Sequence, residues 1–191
     1  MIDSVKQILA EFKPAGWGQD LVATGFVRAI EQHGQTLTIK LVLPFAGQTL
    51  FEQMKETFDA HIRAATGAAI VDWQCDIEVA NMPRAQQLAA VQGIRNILVV
   101  ASGKGGVGKS TTAVNLALAL QKEGARVAIL DADIYGPSIP TMMGTLKERP
   151  HSLDGKLMEP VMACGLKTNS IGYLVAEQDA TIWRGPMASK A

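Results

Sequence analysis

The chain has 191 residues, 48% of them apolar, enough to bury a core in one or two domains. Lysine plus arginine and aspartate plus glutamate number 18 each, which leaves no net field to draw in nucleic acid or an anionic membrane. No apolar run approaches the ~18 residues of a membrane span, no leader pattern follows Met1, and only Cys75 and Cys164 occur, so a cytoplasmic protein is expected.

The first predicted element is a helix from Ser4 to Phe12, with Val5, Ile8, Leu9 and Phe12 at helical spacing and Pro14 and Gly16 ending it. Two extended runs follow, Gly25–Ile30 and Thr36–Leu43, turning at Gly34. Leu37, Ile39, Leu41 and Leu43 alternate with mostly polar neighbours, which predicts a hairpin with one buried face. Thr49 and Glu52 form a capping-box pattern for a helix that places Phe51, Met54, Phe58, Ile62 and Ala65 on one side and stops at Gly67. A last strand, Ala69–Val79, completes an α-β-β-α-β module over residues 1–80. His33 and His61 read as surface residues, Trp73 and Phe58 as core, and Trp17 as either. Residues 81–93, with Asn81-Met82-Pro83-Arg84 at their start and Gly93 at their end, form a connector.

Residues 94–191 begin with the apolar run Ile97-Leu98-Val99-Val100, then Gly103-Lys104-Gly105-Gly106-Val107-Gly108-Lys109-Ser110, then an alanine- and leucine-rich helix from Thr111. A buried strand, a glycine turn and a helix N-terminus are what a phosphate-binding P-loop needs. Its amides wrap phosphate, Lys109 reaches the β- and γ-phosphates, and the Ser110 hydroxyl holds Mg²⁺. Gly103, Gly105 and Gly108 also satisfy a dinucleotide fingerprint, but that turn needs no lysine followed by a hydroxyl. A triphosphate with Mg²⁺ needs both.

After Gly124, Arg126–Asp131 predicts a second strand, parallel to the run at 97–100 and joined to it by the helix. Asp131 and Asp133 then stand beyond a strand's carboxyl end, where they could reach Mg²⁺ or the attacking water; each could equally cap the following turn. A weaker third strand is expected around Ile171–Val175. Met142 and Met143 are expected to pack beneath a loop.

Lys104–Thr111 resembles the deviant Walker A motif of MinD/ParA-type ATPases, in which an additional lysine precedes the loop glycines. Asp131-Ala132-Asp133-Ile134-Tyr135-Gly136-Pro137-Ser138 and Trp183-Arg184-Gly185-Pro186-Met187 narrow this to a resemblance to the Mrp/ApbC family of iron–sulfur cluster carrier ATPases. The first eighty residues are similar to a MIP18-type domain. The resemblance implies ATP held by Gly103, Lys104, Gly105, Gly106, Val107, Gly108, Lys109, Ser110 and Thr111, with Mg²⁺ at Ser110 and Asp131. It further implies a homodimer in which Lys104 reaches the partner's phosphates while Gly105 and Gly106 allow close approach. Asp133 would orient the hydrolytic water beside catalytic Lys104 and Lys109, and a 4Fe-4S cluster would pass to apo-protein acceptors.

Two parts of the family pattern are missing. Nothing after Asp133 looks like a Walker B strand, and neither cysteine has the near partner of a cluster-binding Cys-x-x-Cys pair, so cluster ligands are expected outside this chain. A C-terminally truncated, incomplete parallel P-loop sheet behind a small α+β domain is the expected α/β fold. The competing functions are a ParA/MinD-type spatial-organising ATPase, an NAD-dependent dehydrogenase, and an interaction module with a degenerate ATPase.

Overall fold

The computed structural model describes residues 2–14, 16–82, 89, 91–152, 154–155 and 157–174. The chain divides into two compact units, Met1–Ile97 and Leu98–Ala191.

The first unit follows the expected order: α1 (Ile2–Ala10), β1 (Val27–His33), β2 (Thr36–Leu43), α2 (Gln48–Thr66) and β3 (Ile70–Ile77). β1 and β2 pair antiparallel across Gly34, whose φ of 61° is the left-handed conformation a tight turn demands. β3 runs parallel to β2, with α2 as the crossover. Leu37, Ile39, Leu41 and Leu43 are fully buried because β2 is the central strand and its alternation turns them all to one face. Val5 and Leu9 of α1, and Phe51, Met54, Phe58 and Ile62 of α2, close the same core. Ala65, expected on that side, is exposed. Trp17 packs edge-on against Phe26 and Phe45 at 5.4 and 5.9 Å, and the Trp73 indole donates to Asp59 Oδ1 at 3.0 Å.

The capping box is not used. α2 starts two residues earlier than that pattern implies, its N-cap is Gly47, and Glu52 instead accepts from Gln48 Nε2 at 2.9 Å. Glycine suits this entrance, because a Cβ at position 47 would lie 2.8 Å from the Phe45 ring and force it to shift. Beyond β3, the Asn96 side chain ties the backbone at Met82 and Ala80, at 2.7 and 2.9 Å.

The second unit holds α3 (Lys109–Lys122), β4 (Ala128–Leu130), the one-turn helix α4 (Ile139–Met142), β5 (Val161–Ala163), β6 (Leu166–Asn169) and a 3-10 turn at Ile171–Tyr173. Its sheet order is β4-β6-β5, with β4 parallel and β5 antiparallel to β6. Val114 and Ala117 of α3 pack with Ile129, Ile139, Met143, Ala163 and Leu166.

Three expectations change here. Residues 97–100 form no strand, and Ile97, Leu98 and Val99 are 61%, 53% and 81% exposed. A strand exists only through its ladder, and among the described residues none pairs with this run. The parallel partner of β4 is therefore β6 rather than the run before the loop. The third strand expected at 171–175 is instead the 3-10 turn, with Val175 outside the described residues. Tyr173 is held there by its buried hydroxyl, 2.9 Å from Thr145 Oγ1 and 2.7 Å from Thr168 Oγ1.

Candidate functional site

The glycine loop enters α3 through two left-handed residues, Gly106 (φ 71°) and Gly108 (φ 87°), the latter being the helix N-cap. A side chain at either would be strained, so glycine is a backbone requirement at both. The first turn of α3 closes on Thr112 N–H donating to Gly108 O at 2.9 Å. By helix geometry the amides of Lys109, Ser110 and Thr111 have no carbonyl four residues back inside the helix. Fourteen residues of aligned dipole place partial positive charge at this end. At the head of the loop, Ser102 Oγ donates to Lys104 O at 2.7 Å and accepts from Lys104 N–H at 3.4 Å, which shapes the turn.

This helix end opens on a cleft of about 410 Å³ that brings Gly106, Gly108, Lys109, Ser110 and Thr111 against Asp133, Gly136, Ser138 and Met142. The predicted phosphate-binding lysine and hydroxyl thus share one hollow with the predicted water-orienting carboxylate. Asp133 is exposed, and its Oδ1 accepts from Gly136 N–H at 3.1 Å, which fixes the carboxylate at the cleft wall. Gly103, Lys104, Gly105 and Val107 do not line this hollow. They lie on its exposed approach, with the Lys104 side chain in solvent. Met142, expected beneath a loop with Met143, lines the cleft at 39% exposure, whereas Met143 is buried. A smaller hollow of about 190 Å³ in the first unit, around Phe26, Arg28, Pro44 and Glu78, adjoins neither a glycine loop nor a helix N-terminus.

Asp131 behaves differently from Asp133. It is 9% exposed, at the end of β4, and its own N–H is tied to Asn169 O at 2.8 Å. Its Oδ1 accepts from Asp133 N–H at 3.1 Å. Its Oδ2 accepts from Ser138 N–H and Ile139 N–H, both at 3.2 Å, and from Ser170 Oγ at 3.0 Å. A buried carboxylate receiving four donors is a fixed post for the 131–139 loop. It stands behind the cleft rather than in its lining. Ser138, which it holds, points its hydroxyl at Ser110 Oγ, 2.7 Å away. Sequence reasoning missed Ser138 and Ser170, since contacts spanning 28 and 39 residues leave no local pattern.

The lining offers four oxygen-bearing side chains to a cation, the Ser110, Thr111 and Ser138 hydroxyls and the Asp133 carboxylate, beside a single soft donor, the Met142 thioether. Hard oxygen donors beside a phosphate-binding loop suit Mg²⁺. Cys75 is half-buried in β3, and Cys164 is exposed in the β5–β6 turn at φ 49°. Trp183–Met187 lies outside the described residues.

Residues 93–191 match the family model of the NUBPL iron-transfer P-loop NTPase, and residues 3–73 match that of an iron-sulfur cluster assembly protein. The iron-sulfur cluster carrier protein of Escherichia coli K12 is 50% identical over 96% of this chain and 50% of its own length. That of Haemophilus influenzae is 48% identical over 99% and 51%, and that of Synechocystis 36% over 97% and 53%. The chain thus spans about half the length of the curated relatives it matches. A solved nucleotide-binding protein from Archaeoglobus fulgidus, in complex with ADP, is 48% identical over 39% of this chain and 31% of its own, with a TM-score of 0.37. With its glycine loop, lysine and serine at the head of α3 and a model match over more than half its length, the chain belongs to the NUBPL iron-transfer P-loop NTPase family.

Proposed function

We propose that this chain carries the ATP-hydrolysing machinery of a cytoplasmic iron–sulfur cluster carrier, in which nucleotide turnover is coupled to delivery of a cluster to apo-protein acceptors. The observation that supports it most directly is the meeting of Lys109 and Ser110 with Asp133 around one cleft at the N-terminus of α3. The relatives' shared name, iron-sulfur cluster carrier protein, supports the cargo.

In this reading the amides from Gly106 to Thr111 cradle the phosphates, with Gly103, Lys104, Gly105 and Val107 forming the outer loop. Lys109 neutralises charge on the β- and γ-phosphates. Ser110 would hold Mg²⁺, with Asp131 acting from behind, and the cation would supply positive charge to offset what develops on the phosphates. Asp133 orients a water for in-line attack on the γ-phosphorus. The bond to the β–γ bridging oxygen breaks, ADP leaves, and the water's proton passes to Asp133 or to phosphate. Lys104, extended into solvent, serves the nucleotide of a second copy in a homodimer. The cargo is a 4Fe-4S cluster, its ligands supplied outside this chain. The functional division follows residues 1–80 as a MIP18-like domain, 81–93 as connector and 94 onward as ATPase.

The test measures ATP turnover and cluster transfer in the complete gene product for wild type, Lys104→Ala, Lys109→Ala and Asp133→Ala. All three variants should lose turnover, and unchanged turnover in all of them sinks the mechanism. Binding of NAD in preference to Mg-ATP would favour a dehydrogenase instead. DNA- or vesicle-stimulated turnover without cluster transfer would favour a spatial-organising ATPase.

A further inference from the structure

We infer that Ser138 is a positioning residue for the Mg²⁺ ligand Ser110, and that buried Asp131 serves the site chiefly by aiming it. This inference rests on the reading of the glycine loop as a Mg-nucleotide site.

The geometry begins at Asp131. Its Oδ2 gathers the N–H groups of Ser138 and Ile139 and the hydroxyl of Ser170, which is itself 2% exposed. Ser138 is therefore fixed through its backbone, which leaves its side chain available to do something else. That side chain reaches across 28 residues of sequence to donate to Ser110 Oγ at 2.7 Å, the usual distance for a well-formed bond between two hydroxyls.

A serine oxygen has two lone pairs and one proton. If Ser138 donates to one lone pair of Ser110, the other remains for a cation, in a direction set by the first. Hydrogen-bond partners behind a metal ligand fix its orientation, and removing one costs about 10–100-fold in metal affinity. Without Ser138 the Ser110 hydroxyl rotates freely. The same contact links the loop that carries Asp133 to the head of α3, so arrival of the cation at Ser110 is felt by the segment bearing the water-orienting carboxylate.

The test is equilibrium binding of a fluorescent ADP analogue to the full chain, titrated with Mg²⁺ and compared with EDTA. For each protein the quantity read is the ratio by which Mg²⁺ tightens nucleotide binding. Ser138→Ala should reduce that ratio about tenfold, or raise the half-saturating Mg²⁺ concentration by a similar factor. Ser138→Thr, which keeps a hydroxyl, should regain most of it. Thermal melting of each variant establishes that it is folded, and a loop merely repacked would not change the Mg²⁺ ratio.

A folded Ser138→Ala protein with the wild-type ratio overturns the inference, as does a folded Ser138→Thr protein as defective as Ser138→Ala. Should wild type bind no nucleotide, the reading of the loop fails and this inference with it. Should wild type respond to Mg²⁺ while Ser138→Ala responds equally, the loop reading stands and only the role of Ser138 is lost.

Discussion

The two units of this chain bury their apolar residues to different extents. In the first, the central strand β2 buries Leu37, Ile39, Leu41 and Leu43 to 1% exposure or less, and two helices cover the same face. In the second, a smaller cluster around Leu166 and Ile129 coexists with Leu98, Val99, Leu130 and Met162 at 53–81% exposure. The polar residues reverse the pattern. The second unit concentrates long-range side-chain hydrogen bonds on Asp131, Ser138, Ser170 and Tyr173, whereas the first relies chiefly on its core. One region is built for burial, the other for placing hydroxyls and carboxylates around a cleft.

The sharpest way to test that division is to remove the charge at the cleft. Lys109→Ala should lower ATP turnover in the full chain on the order of 10³-fold, the scale for deleting one preorganised charge-stabilising group. Its thermal unfolding should barely move, because Lys109 is outside both cores. A variant that melts early, or one that turns over normally, breaks the separation of burial from chemistry.

Next in size are the cores themselves. Ile39→Ala should destabilise the first unit by about 3 kcal/mol through lost burial and a residual cavity, measured by urea denaturation of the full chain. Nucleotide binding should persist while that unit unfolds. Leu166→Ala, at an equally buried position in the second unit, should instead abolish binding along with its own transition. Loss of binding in Ile39→Ala would show that the cleft depends on the first core.

How much of this was visible beforehand follows from the range of the interactions. α2 and β2 were legible because helical spacing and strict alternation are local signals that burial then confirms. The loop was legible because glycines, lysine and serine must stand at fixed offsets, and Gly106 and Gly108 do adopt the left-handed backbone. The run at 97–100 misled because apolarity marks a candidate strand but not its ladder partner. The β5–β6 hairpin escaped notice because its strands are three and four residues long and its turn is Cys164-Gly165, not the Asn-Gly or Asp-Gly that signals such turns. Thr49 is not the cap because α2 already begins at Gln48, behind Gly47, and the local Thr-x-x-Glu pattern carries no information about that earlier start. The post made by Asp131 needed Ser170, which no local pattern connects to it.

A smaller effect probes the exposed apolar surface. Leu130, 73% exposed beside buried Ile129, should accept lysine with less than about 0.5 kcal/mol lost, because no packed neighbour is removed. The same change at Ile129 should prevent the second unit from folding. A large loss at Leu130, read from denaturation midpoints, would mean that this face is covered in solution.

The mildest difference lies in the two thiols. Burial, and then the neighbouring Asp76 carboxylate, push the Cys75 thiol above its ordinary value, since both disfavour the thiolate. The folded pKa being the higher one, folding favours the protonated thiol. That contribution is present below the ordinary thiol pKa and is lost as pH climbs through the raised value. Cys164 stands exposed in its turn. Iodoacetamide at pH 8, followed by peptide mass spectrometry, should therefore label Cys164 several-fold faster than Cys75, because the thiolate is the reacting species. The gap should narrow as pH rises past 9. Equal labelling at pH 8 would mean that the edge strand β3 opens often enough to expose Cys75, and the first unit's advantage in burial would then stop short of its own edge.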